Sequence, residues 1–122
     1  MNQSRAIDLR GLTEFAKFQH NQMVDAGYWK PGDDTPRMMS VKMARIHGEV
    51  SELVEVYRKG KMHDPCGKAG TGLTCEEEEY ADIILQTIDA AAARGIDIQA
   101  AVEAKARYNM SRETAKQQGK AF

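Results

Sequence analysis

Strand signal is nearly absent from this chain of 122 residues. No segment keeps up the alternation of apolar and polar residues that a half-buried strand requires, so a sheet-based fold is excluded. Cysteine is scarce: Cys66 and Cys75 are the only two, too few for a disulfide framework. Charge of one sign is lacking as well. Seventeen basic and 18 acidic residues leave a net charge of −1, which gives no electrostatic footprint for a nucleic-acid polymer or an anionic membrane. No apolar run approaches the length of a membrane span. The opening Met1-Asn2-Gln3-Ser4-Arg5 leads into no signal-peptide core, so a cytoplasmic protein is expected.

Several kinds of site are missing too. Gly67-Lys68-Ala69-Gly70-Thr71-Gly72 has the letters of a phosphate loop but neither its spacing nor a preceding strand. No local pattern suggests a Ser-His-Asp or cysteine nucleophile. His63, Cys66 and Cys75 form an incomplete zinc set, without a fourth ligand or a Cys-x-x-Cys pair. No internal repeat or low-complexity tract is present.

What remains is a single all-α domain over residues 1–122, with 42% hydrophobic residues and three prolines. Four helices are expected. The first spans 12–26, with Leu12, Phe15, Phe18, Met23 and Val24 near helical spacing and Gly27 as its stop. A turn-rich loop over 28–37 holds the only tryptophan, Trp29. Thr35-Pro36 then reads as an N-cap followed by proline at the first helical position, opening a helix over 36–59 that Gly60 closes. Thr74 with Glu77 forms a capping box for a third helix over 74–94, ended by Gly95. Apolar residues cover most of its circumference, which makes it the central helix. Asp97 caps a fourth helix over 97–112. The ends, 1–10 and 113–122, are polar and expected to be flexible. The connection 61–73 is long for a helix-to-helix loop.

Two carboxylate pairs carry the chemistry. Glu49 and Glu52 lie three apart on the second helix, and Glu79 and Asp82 lie three apart on the third, so each pair projects from one face. At about 100° per residue, Met39, Met43, Ile46, Val50, Leu53 and Tyr57 form the apolar stripe of the second helix. Glu49 falls inside that stripe, where an unpaired carboxylate is costly, while Glu55 points to solvent. Four carboxylates in one volume repel one another unless a hard cation holds them, and oxygen-only ligands suit Mg²⁺. Glu76, Glu77 and Glu78 have a simpler explanation, since acidic residues in a first turn complement the helix dipole. Lys105 and Asn109 share the stripe of Ile98 and Val102; Lys105 on that face either snorkels or meets an anion. His20, His47 and Trp29 either stack on a ligand or finish the core.

Glu49-Val50-Ser51-Glu52-Leu53, then Glu79-Tyr80-Ala81-Asp82, then Lys105 and Asn109, resemble the all-α nucleoside triphosphate pyrophosphatases of the MazG-like superfamily. The likeness runs from about Phe15 to Arg112, and Gly48-Glu49-Val50 looks most like the dCTP pyrophosphatase-like branch. Gly48 stands where many members carry a further glutamate. The resemblance implies a four-helix-bundle-like MazG-type fold assembling as a homodimer or a dimer of dimers. It implies hydrolysis of a nucleoside triphosphate to the monophosphate and pyrophosphate, in nucleotide-pool house-cleaning. Mg²⁺, for which Mn²⁺ can substitute, would sit on Glu49, Glu52, Glu79 and Asp82, with Glu52 the first choice of general base. Lys105 and Asn109 would grip phosphate, and by position His20, Asn21 and Trp29 would surround the base. Phosphoribosyl-ATP pyrophosphohydrolase, with the same chemistry, and a non-catalytic helical dimerisation module are the alternatives.

Overall fold

A computed structural model describes residues 7–116, and these form four α-helices: α1 (Leu12–Asp25), α2 (Pro36–Arg58), α3 (Cys75–Ala93) and α4 (Ile98–Lys116). No strand occurs among the described residues; Pro65 and Thr74 make an isolated antiparallel bridge.

Local chemistry sets the helix boundaries. Thr35 caps α2 by accepting from the Met38 N–H, with Pro36 in the first turn. Thr74 and Glu77 cap α3 reciprocally: each side chain accepts from the other's backbone N–H, so two orphan donors are satisfied. The first three helices end alike. Gly27, Gly60 and Gly95 adopt φ of 89°, 66° and 70°, and each following N–H reaches back to a carbonyl of the last turn, as Ile96 does to Ala91 at 3.0 Å. A side chain is strained in that left-handed region, which is why glycine ends these helices.

The central helix is α3, which packs along both α1 and α2. Helix α4 touches α1 and α3 over a shorter length, and its start is tied to α1 by polar groups. Buried Thr13 donates to Asp97 Oδ1 at 2.7 Å and accepts from the Gln99 N–H at 2.9 Å. Asp97 also accepts from the Ala100 N–H, and these hydrogen bonds hold its carboxyl below the usual range. The Leu9 N–H donates to Glu103 at 2.8 Å, so the chain before α1 is held as far back as Leu9.

Two expectations change, and one falls on residues that are not described. Helix α4 continues past Arg112 to Lys116, because Glu113, Ala115 and Lys116 all permit helix and no glycine intervenes before Gly119. The flexibility expected of residues 1–6 and 117–122 lies outside the described residues. The apolar stripe of α2 is not covered within the chain: Leu53 alone is buried, while Met43, Val50 and Tyr57 are each more than 40% exposed. The buried apolar core is correspondingly small, consisting of Ala16, Leu53, Ile88 and Ala90 among the described residues. The four helices therefore make an open layer around α3, without extensive contact between α2 and α4 to close a bundle.

Candidate metal centre and adjoining cleft

Helices α2 and α3 run antiparallel. Tyr57, near the end of α2, donates to Glu76 at the start of α3 and lies 3.1 Å from the Tyr80 hydroxyl. One to two turns further along, this pairing sets Glu49 opposite Glu79 and Asp82. Carboxylate oxygens of all three come within 4.8 Å of one another, and each residue is half-buried.

Crowding makes these groups hard to ionise. Partial burial is the first cause of the rise at Glu49, followed by the neighbouring Glu52 and then Asp82 and Glu79; together they push its pKa up to about 7. Burial also raises Glu79, with Glu52 and Asp82 adding to it, and raises Asp82, with Glu78 adding. An oxygen-only donor set of three close carboxylates that resist ionisation fits a hard divalent cation, which would relieve the repulsion.

Glu52 is not one of that trio but neighbours it, close enough to raise Glu49, Glu79 and Asp82. It is exposed and flanks the cluster in a surface recess shared with Ser51, Glu55, Lys59, Lys61 and Glu79. Glu55 points to solvent, its carboxylate 3.7 Å from Arg58 and 3.9 Å from Lys59. The acidic first turn of α3 is more than a match to the helix dipole. Glu76 accepts from Tyr57, Glu77 completes the capping box, and Glu78 pairs with Lys68 at 2.7 Å.

Asp82 also lines a second feature, a cleft of about 470 Å³ walled by Met23, Trp29, Lys42, Arg45, Gln86 and Asp89. Buried Asp89 organises its floor. Trp29 Nε1 donates to one carboxylate oxygen at 3.0 Å, and His20 Nδ1 lies 2.7 Å from the other. The His20 and Trp29 rings meet edge to face with centroids 5.1 Å apart. Lys42 sits 4.1 Å above the Trp29 ring and donates to the Tyr28 carbonyl. The lining of the cleft thus combines cationic and aromatic side chains with the carboxylates of Asp82 and Asp89.

His20 and Trp29 are therefore brought together on Asp89; Trp29 lines the cleft that Asp82 also lines, and His20 stands behind it. Asn21 is exposed on α1 and does not line this cleft. Lys105 and Asn109 are exposed on α4, where the Lys105 ammonium rests 4.8 Å from the Tyr108 ring centroid; among the described residues no contact joins either of them to the carboxylates. His63, Cys66 and Cys75 form no ligand cluster, and the carboxylate trio is the only group of that kind among the described residues. Lys42 and Arg45 were not singled out from the sequence, and Asp89 counted there only as the end of a narrow polar stripe on α3 with Glu79, Asp82 and Gln86.

Comparison with protein-family models, curated sequences and solved structures gives no match.

Proposed function

We propose that this chain is a Mg²⁺-dependent nucleoside triphosphate pyrophosphohydrolase of the MazG-like kind, which splits an NTP or dNTP into the monophosphate and pyrophosphate. The observation that carries this reading is the convergence of Glu49, Glu79 and Asp82 from two antiparallel helices, with a cleft of aromatic and cationic side chains starting at Asp82. Carboxylates that crowd together gain from a cation, and a triphosphate brings the oxygens that share it. Bound there, Mg²⁺ supplies Lewis-acid stabilisation of charge on the phosphate oxygens.

The chain's own residues account for the remaining parts. Glu49, Glu79 and Asp82 hold the cation. Glu52, beside the trio but outside it, would take the proton of the attacking water as that water adds to phosphorus and the bridging P–O bond breaks. Trp29, held by Asp89 and backed by His20, walls the part of the cleft that receives the nucleoside. A homodimer, or a dimer of dimers, explains the uncovered apolar surface of α2 and α3. It also supplies a route by which Lys105 and Asn109 of one chain reach the phosphates bound by another.

The direct test incubates purified protein with a panel of NTPs and dNTPs and Mg²⁺ and measures pyrophosphate. Release that Glu49→Gln and Asp82→Asn abolish supports the reading, and a silent panel with folded protein overturns it.

A further inference from the structure

The α2–α3 connection is folded, not loose. The Cys66 N–H donates to the Leu73 carbonyl at 2.9 Å and the Cys75 N–H to Asp64 at 2.7 Å, giving a small antiparallel pinch. Beyond it, Thr71 Oγ1 donates to the Lys68 carbonyl at 2.9 Å while the Lys68 N–H donates to Cys66 Sγ at 3.3 Å, so the backbone of Lys68 is held from both sides. Its side chain reaches across to α3 and pairs with Glu78 at 2.7 Å. Glu78 is one turn before Asp82 and adjacent to Glu79, yet it is not one of the three clustered carboxylates. The Lys68 ammonium is close enough to oppose the rise at both Glu79 and Asp82.

The features lie in order along α3. Lys68 on Glu78 comes first, then the carboxylates at Glu79 and Asp82, then the cleft at Gln86 and Asp89. From Glu78 to Asp89 is 11 residues, or about 16 Å of helix. That is the scale of an extended nucleoside triphosphate. With the nucleoside at the Asp89 end and the α–β bridge at the carboxylates, the terminal phosphate faces Lys68.

We infer that Lys68 is a substrate-binding residue that grips terminal phosphate oxygens, and that Glu78 holds its ammonium in place until substrate arrives. This rests on the pyrophosphohydrolase reading above. A lysine is suited to the task, being a compact cation on a flexible stem that can exchange one carboxylate for phosphate without moving the backbone. The turn then adds a contact that only a substrate with a polyphosphate tail can use.

Calorimetry with Mg²⁺ tests it, using an α,β-methylene nucleoside triphosphate and the matching monophosphate on the wild type, K68M, K68R and E78Q. K68M is expected to weaken the triphosphate analogue about tenfold and leave the monophosphate within about twofold, the loss of one charge-assisted contact. K68R retains most of the affinity, and E78Q binds the analogue as well as the wild type or better. Equal losses for both ligands in K68M would make the turn merely structural and overturn the assignment, as would no loss for either. If K68M does not fold, E78Q decides, since unchanged or tighter binding of the analogue supports a Lys68 freed for phosphate and a tenfold loss overturns the assignment. A wild type that binds neither ligand overturns the pyrophosphohydrolase reading itself, whereas a wild type that binds both, with K68M unchanged, overturns Lys68 alone.

Discussion

The Trp29 indole donates to the buried carboxylate of Asp89 at 3.0 Å, although 60 residues separate them in the chain. His20 occupies the other oxygen of the same carboxylate, so one side chain of α3 fixes a residue of α1 and a residue of the α1–α2 loop. Asp89→Ala leaves both ring nitrogens without their partner inside the protein. The expected cost is about 1–3 kcal/mol of stability. Trp29 fluorescence should move toward the red as the ring loosens, and nucleotide affinity should fall further than stability does. Asp89→Asn, which keeps an acceptor, should lose less on all three measurements.

Glu49 gives the metal centre a pH dependence with a defined sign. Its pKa in the fold, about 7, lies above the ordinary value of 4.5, so the native state binds more protons than the unfolded state between those limits. The contribution of Glu49 to stability is therefore fully present below pH 4.5 and is lost as pH rises through 7. In metal-free buffer, Tm should fall across that window, and Glu49→Gln should flatten the fall. Binding of Mg²⁺ requires the ionised form, so it should strengthen from pH 6 to pH 8 and release protons. Calorimetry in two buffers of different ionisation enthalpy measures that release. Identical apparent enthalpies in both buffers would count against Glu49 as a ligand.

The capping box at α3 positions the carboxylates that follow it. Thr74→Ala removes the acceptor for the Glu77 N–H and should cost about 1 kcal/mol, read as a lowered Tm, while Thr74→Ser restores most of it. Because Glu79 and Asp82 sit within two turns of that cap, the same variant should weaken Mg²⁺ binding measurably.

The helices were legible in the sequence because their boundaries are local. Thr35-Pro36, Thr74 with Glu77, and the glycines at 27, 60 and 95 each act within a few residues, and the structure uses them all as helix ends. The end of α4 was less legible, since polar residues after Arg112 are neutral toward helix and carry no stop. Spacing and the apolar stripe of α2 gathered Glu49, Glu52, Glu79 and Asp82 as one quartet, whereas the structure clusters Glu49, Glu79 and Asp82 and leaves exposed Glu52 at their edge. What covers that stripe was not legible: the period of α2 marks an apolar face but says nothing of its occupant. The roles of Asp89 and Lys68 depend on partners brought in by tertiary folding. Glu78 was accounted for by the helix dipole, and only the folded turn reveals that it also holds a lysine.

The uncovered face yields the remaining prediction. Tyr57 and Tyr80 touch through their hydroxyls across α2 and α3, and Val50, Val54 and Ile84 continue the same ridges at helical spacing. All five are between 42% and 56% exposed. A ribbon of this kind on two adjacent helices is larger than the scattered apolar residues of an ordinary surface. If a second copy covers it, sedimentation at micromolar concentration should give twice the mass of the 13.6 kDa chain or a multiple of that. Ile84→Asp places a charge at the middle of the ribbon, where burial without a partner is costly. It should shift the protein toward monomer and lower Tm in a concentration-dependent way. Lys105→Ala, on the exposed face of α4, should leave the mass unchanged. A wild type that sediments as a monomer at every concentration would rule out the dimer, and with it the route by which Lys105 and Asn109 of one chain reach the phosphates bound by another.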